Sequence, residues 1–97
     1  MDRNEIQKIL AGHKTELQKQ FGIVNIGLFG SYARNEENSE SDIDIAVEMQ
    51  KTDLFVLSSL KSYLQELLGK NVDIIRVRKN MNPLLKNRIQ KDVLYIR

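Results

Sequence analysis

The apolar side chains of the first twenty residues recur at the three- and four-residue spacing of an amphipathic helix. The spacing predicts one helix from Asn4 to Lys19, whose apolar stripe also includes His13. Asp2 or Asn4 can cap its first turn, and Gly22 can end it. Since the chain has no second histidine and no cysteine, we interpret the lone histidine as structural rather than as a metal ligand.

Two further segments have helical periodicity. Leucines recur every three or four residues from about Asp53 to Leu68, with Thr52 or Asp53 as the cap and a glycine directly after the stripe as the stop. Asn82 and Pro83 have the cap and first-turn chemistry that begins a short helix. Both segments therefore predict helices with one buried side.

Other segments have strand patterns. Residues 23–29 are apolar and β-branched, 42–48 alternate in polarity, 71–77 read NVDIIRV, and 93–96 can add a short fourth strand. The polar interval 35–41 predicts a loop. This order of elements predicts an α+β fold with a small mixed sheet and helices packed mainly on one face, formed by a single domain over residues 1–97.

Composition and charge narrow the functional classes. The 97 residues are 41% hydrophobic and 29% charged, as in an ordinary globular domain, and the net charge of +2 is too small to indicate nucleic-acid binding by itself. No apolar run reaches the roughly 18 to 20 residues that span a bilayer. The absence of cysteine excludes disulfides and thiolate metal sites. We expect a cytoplasmic protein with no membrane contact and no direct nucleic-acid contact.

Three aspartates lie in apolar strand patterns. Asp42 and Asp44 project to one face because side chains alternate along a strand, with their Cα atoms about 6.5–7 Å apart. Asp73 can share their site if its strand lies beside theirs. Three such oxygen ligands suit a hard divalent cation, Mg²⁺ in particular. The alternative is the solvated outer face of an edge strand.

The turn after the first strand has the chemistry that a phosphate needs. Gly30 allows the backbone to approach a ligand closely, and Ser31 offers a hydroxyl and an N–H at the start of a helical turn. Arg34, one turn further on, can hold a phosphate oxygen. Alone, each has an ordinary structural explanation. Together with the aspartates they indicate a site for a phosphate and a metal.

Residues 30–47, GSYARNEENSESDIDIAV, resemble the nucleotidyltransferase superfamily related to DNA polymerase β, and specifically its small stand-alone members, the minimal nucleotidyltransferases. The resemblance extends over nearly the whole chain, because the leading helix, the leucine-rich helix and the third acidic strand follow in the family's order. The chain departs from the family at Asn35, where glycine is usual. Asparagine tolerates positive φ, so we expect the turn to be kept.

The resemblance implies the nucleotidyltransferase fold and in-line attack on the α-phosphate of ATP or another nucleoside triphosphate, with two Mg²⁺ ions stabilising the entering and leaving oxygens. It assigns triphosphate contacts to Gly30, Ser31 and Arg34, and metal binding and catalysis to Asp42, Asp44 and Asp73. Within that set Asp73 orients or deprotonates the attacking hydroxyl.

Members of this family typically act as antitoxins that transfer AMP to a tyrosine of a HEPN-type RNase toxin, and the resemblance implies the same here. One alternative is a catalytically inactive antitoxin that neutralises its toxin by binding alone. Another is a nucleotidyltransferase that modifies a small molecule such as an antibiotic. The sequence leaves open the nucleotide base, the acceptor and the oligomeric state.

Overall fold

The computed structural model describes residues 1–50 and 53–96 of the chain. Five helices and four strands form in this part of the chain. In chain order they are α1 (Arg3–Gly12), α2 (Lys14–Phe21), β1 (Ile23–Phe29), α3 (Gly30–Ala33), β2 (Ile43–Met49), α4 (Leu54–Leu68), β3 (Val72–Arg76), α5 (Pro83–Asp92) and β4 (Leu94–Tyr95).

The four strands form one mixed sheet in the order β3-β2-β1-β4. β1 runs antiparallel to β2 and β4, whereas β2 and β3 are parallel. The crossover between the two parallel strands contains α4, as parallel pairing requires. The prediction of a small mixed sheet in an α+β fold is confirmed. The parallel pairing also brings the beginnings of β2 and β3 to the same end of the sheet.

The main core lies between one face of the sheet and helices α1, α2 and α4. Ile43, Ile45 and Val47 of β2 are fully buried there. Leu10 and Leu60 pack in the same cluster from the helical side. Their burial follows from the alternation of β2 and the leucine spacing of α4, and at about 1.5–3 kcal/mol per large apolar side chain it is the main stabilising term of the fold.

A smaller core covers the opposite face of the sheet. Ala46 of β2 is fully buried there against Met81 and Ile89, the latter on α5. Helices thus pack mainly on one face, as predicted, while α5 shields one part of the other. The remainder of that second face carries Asp44, because Asp44 and Ala46 have the same orientation on the strand.

The prediction of a single helix from Asn4 to Lys19 is wrong. The helix is interrupted at His13, which has φ −111° and ψ 10° and separates α1 from α2. Gly12 and His13 both have weak helix propensity, and the His13 Nδ1 lies 2.9 Å from the Ile9 carbonyl oxygen at the end of α1. The apolar stripe continues across this break, which explains why periodicity alone did not reveal it.

The predicted ends of the elements agree well with the structure. Asp2 caps α1 by accepting a hydrogen bond from the Glu5 amide, and Asp53 caps α4 in the same way from Val56. Gly22 ends α2 in the left-handed conformation. Thr52, the alternative cap of α4, lies outside the described residues. Among the described helices, none combines the length and apolar character needed to cross a membrane.

Candidate nucleotide and metal site

The turn after β1 is a short helix that starts at Gly30. Gly30 has φ 71°, and the Arg34 amide donates to the Gly30 carbonyl at 3.1 Å to close the turn. The Glu36 amide then donates to the Ser31 carbonyl at 2.8 Å. Asn35 adopts φ 61°, so asparagine takes the left-handed conformation where the family has glycine, as expected.

The backbone of this turn packs directly on the Asp44 carboxyl group. Phe29 and Asp44 are partners in the antiparallel register, which places Asp44 beside the end of β1. A Cβ atom on Gly30 would collide with Asp44 Oδ2 and would lie 3.0 Å from Asp44 Cγ. Only glycine fits here, because the position combines a positive φ with this close approach. The Gly30 turn and the Asp44 carboxyl group are therefore one structural unit.

The parallel register of β2 and β3 places Asp73 beside this unit. Asp44 lies directly opposite Asp73, so their side chains project to the same face from strands about 4.8 Å apart. Asp42 precedes β2 by one residue, at the same end of the sheet. The prediction that Asp73 shares the site depended on its strand lying beside the strand of Asp42 and Asp44. In the structure the two strands are neighbours.

The acids interact electrostatically. Burial raises the pKa of Asp44 above its ordinary value of 3.8, and the negative charges of Asp73 and then Asp42 raise it further. The Arg34 guanidinium opposes this by lowering the pKa of Asp44. In the described chain, Asp44 thus experiences more negative than positive charge.

The donor set matches a hard divalent cation in kind. Carboxylate oxygens are the ligands that Mg²⁺ prefers, and it commonly takes one or two of them together with water and substrate phosphates. Within residues 1–50 and 53–96, no three side chains among His, Asp and Glu are arranged to hold a metal ion by themselves. The negative charges of Asp73 and Asp42 beside Asp44 are the observation that fits a cation here.

Arg34 lies at the rim of the site and is already engaged. Its Nη1 is 3.1 Å from Asp92 Oδ2 on α5, and its Nε is 3.6 Å from Glu36 Oε2. The side chain is 44% exposed, so these ion pairs are weak and can exchange. Arg34 links α3 to α5 and supplies positive charge near Asp44.

Sequence reasoning missed two residues that organise this end of the sheet. Lys70 donates a hydrogen bond from Nζ to the hydroxyl of Tyr32 at 2.8 Å and reaches the Ser39 carbonyl at 3.4 Å. Tyr32 is almost fully buried, and its ring lies 5.5 Å from the same ammonium. Lys70 thereby connects α3, the loop 35–41 and the start of β3. The only sequence signal was a lysine three residues before Asp73.

Comparison with known proteins identifies the class of protein to which this chain belongs. The family described as "Polymerase beta, Nucleotidyltransferase" matches residues 4–97. The chain belongs to this family, and the prediction of a nucleotidyltransferase is confirmed at that level. The assignment of the site to the Gly30 turn and the three aspartates, and the role of each residue, stay predictions.

Individual relatives are more specific. The chain is 43% identical over 91 residues to the protein adenylyltransferase MntA of Thermococcus cleftensis, covering 93% of this chain and 87% of the relative. It is 42% identical over 94 residues to a Methanocaldococcus jannaschii protein provisionally named a protein adenylyltransferase, covering 96% of each. Seven curated proteins match the chain, and all seven are named protein adenylyltransferases, six of them provisionally.

Solved structures confirm the fold. A protein provisionally described as a minimal nucleotidyltransferase superimposes with a TM-score of 0.80 at 28% identity, covering 97% of this chain and 95% of the other. A complex of tri-AMPylated HEPN toxin with MNT antitoxin from Shewanella oneidensis has a TM-score of 0.67 at 22% identity, covering 94% and 71%. At that identity the second likeness concerns the fold alone.

Proposed function

We propose that this protein is a Mg²⁺-dependent adenylyltransferase that moves AMP from ATP to a tyrosine hydroxyl of a HEPN-type RNase toxin, and thereby acts as its antitoxin. The observation that carries the proposal is the register of Asp44 opposite Asp73 with the Gly30 backbone packed on Asp44. The names of the relatives support protein adenylylation as the reaction. We assign the reaction to the cytoplasm.

In this proposal each residue has a defined role. Gly30 and Ser31 hold the triphosphate through the backbone amides and hydroxyl at the start of α3. Arg34 exchanges its ion pairs with Asp92 and Glu36 for phosphate oxygens. Bound Mg²⁺ at Asp42, Asp44 and Asp73 would supply electrostatic stabilisation of charge on the phosphates.

The chemistry is a substitution at phosphorus. The acceptor oxygen bonds to the α-phosphorus in line with the bond to the β-phosphate oxygen, which breaks as pyrophosphate leaves. Asp73 orients the acceptor hydroxyl, and its carboxylate accepts the hydroxyl proton. Asp73 is suited to this because it is exposed on the edge strand β3, where an acceptor from another protein can reach it.

The acceptor is proposed to be a protein rather than a small molecule. Several structural neighbours are toxin–antitoxin complexes, one with AMP-PNP and one with a tri-AMPylated HEPN toxin. In those neighbours this chain covers about 71–72% of the matching chain. A partner protein would supply both the tyrosine and the surface that positions it.

The decisive test uses ATP labelled on the α-phosphate, Mg²⁺ and the product of the adjacent gene. We expect label to appear on a tyrosine of that product and to be lost with Asp42→Asn/Asp44→Asn. A control variant, Glu5→Gln/Glu66→Gln, removes two exposed carboxylates elsewhere on the surface and should label like the wild type. Inhibition of the partner without label would instead identify an antitoxin that acts by binding alone, and label on an added antibiotic would identify a small-molecule enzyme.

A further inference from the structure

A second concave site lies at the end of the sheet away from the aspartates. It is a pocket of about 530 Å³ between the end of β3 and α5. Four basic residues line it, namely Arg76, Arg78, Lys79 and Lys86. Asp73 is three residues before Arg76 on β3, a backbone separation of about 10 Å. Arg76 also lines a neighbouring pocket that contains Asp73.

The positive charge in this pocket is not balanced by neighbouring acids. Glu48 is the single carboxylate among its lining residues. Its Oε2 accepts a hydrogen bond from Asn25 Nδ2 at 3.2 Å, and its Oε1 accepts one from the Tyr95 hydroxyl at 3.1 Å. Within the described residues, none of the four basic side chains forms an ion pair. Both carboxylate oxygens of Glu48 thus accept hydrogen bonds from β1 and β4, and its single negative charge leaves the four cations in excess.

Arg76 shows that the imbalance extends below the surface. Its Nε is buried and has no hydrogen-bond partner in the described part of the chain. A buried donor without a partner costs about 1–3 kcal/mol, and more where the group is charged. Like charges around one cavity add a further repulsive term. An anion seated in the pocket would lower this repulsion by neutralising part of the four positive charges.

We propose that this pocket, formed by Arg76, Arg78, Lys79 and Lys86, binds a phosphate-bearing ligand distinct from the nucleotide substrate. Arginine offers a planar fork of donors that matches phosphate oxygens, and lysine adds compact positive charge. Four cations around one concavity match a multiply charged phosphate better than a single carboxylate. The ligand is either a free polyphosphate or the backbone of an RNA, and both present the same chemistry.

The test is a titration of the full chain, without Mg²⁺, followed by two-dimensional amide NMR. Inorganic pyrophosphate and an eight-nucleotide single-stranded RNA are the two probes. We expect the amides of Val77, Arg78 and Lys79 to shift with at least one probe. Pyrophosphate binding alone identifies a small-phosphate site, whereas tighter RNA binding that weakens steeply with salt identifies a nucleic-acid site.

Charge-removing variants make the test specific. Lys79→Met/Lys86→Met keeps the partly buried Arg76 and should weaken binding by about tenfold or more. Lys8→Met/Lys19→Met removes two exposed lysines from the first two helices and should change the affinity by less than about twofold. Shifts confined to Gly30 and Ser31, no shift with either probe, or an unchanged affinity in Lys79→Met/Lys86→Met would overturn the proposal. None of these readouts depends on adenylylation activity.

Discussion

The two faces of β2 are built on opposite principles. On one face Ile43, Ile45 and Val47 are fully buried against helices, and every contact lowers the free energy of the folded state. On the other face Asp44 is partly buried next to further acids, and its pKa is raised as a result. One strand therefore carries both the stabilising core and a group whose charge opposes folding. Such a cost is typical of a functional site.

Removing the charge on the second face should have the largest effect on activity and the opposite effect on stability. We expect Asp44→Asn to lower the rate of label transfer by about 10³-fold or more, because it removes a proposed metal ligand. The melting temperature of the ligand-free protein should rise by a few degrees, since the unfavourable charge is lost. Rate measurements and calorimetry on one preparation test both. A variant that is inactive and also less stable would contradict this account of Asp44.

The same variant gives a test by pH. Because the folded-state pKa of Asp44 lies above 3.8, the folded wild type holds its proton to higher pH than the unfolded chain does. Its free energy of unfolding therefore falls as pH rises from about 3.8 through the raised pKa. Asp44→Asn lacks this loss, so its advantage over the wild type should be absent at lower pH and largest above the raised pKa. Denaturant unfolding across the acid range measures the difference.

Truncating a core side chain on the first face should lower stability and leave activity nearly unchanged. Leu60 is fully buried on α4, and Leu60→Ala should cost about 2–5 kcal/mol of unfolding free energy by leaving a cavity. Below its melting temperature the variant should still transfer label at a rate close to the wild type. Leu54→Ala, on the same helix but 83% exposed, is the control and should change stability by less than about 0.5 kcal/mol.

Gly30 and Gly69 have nearly the same backbone conformation. Comparing alanine variants at the two positions therefore separates the cost of backbone strain from the cost of the collision with Asp44. Gly30 and Gly69 have φ of 71° and 68°, but only at Gly30 would a Cβ meet another group, the Asp44 carboxylate. Gly69→Ala should cost about 1 kcal/mol of unfolding free energy, and Gly30→Ala about 2–3 kcal/mol together with most of the activity. Adding Asp44→Gly should remove the excess cost at Gly30. Equal costs for the two single variants would contradict the close packing of turn and acid.

The smallest effect is expected at Lys70, which acts by positioning. Lys70→Met removes the hydrogen bonds to Tyr32 and Ser39 and should raise KM for ATP by about three- to tenfold with kcat little changed. Cleavage of the loop 35–41 by a glutamate-specific protease should become faster. Lys70→Arg should restore both values. A fall in kcat without a change in KM would argue against a positioning role.

Local patterns predicted most of the elements, because each helix and strand carries its own spacing and capping residues. The Gly30 turn and the pair Asp42 and Asp44 were likewise visible within one short segment. Contacts between distant segments were not. Lys70 and Tyr32 are 38 positions apart, and Arg34 and Asp92 are 58 apart, so no periodicity connects them. The break at His13 was hidden because the buried stripe continues across it.

The parallel register of β2 and β3 is the feature on which the proposed site most depends, since it alone brings Asp44 and Asp73 together. A double-mutant cycle with Asp44→Asn, Asp73→Asn and the double variant, measured by label transfer to the partner protein, tests it directly. If the two acids act as one unit, the double variant should be about as slow as the slower single variant. Losses that multiply, or full activity in Asp73→Asn, would contradict a shared site.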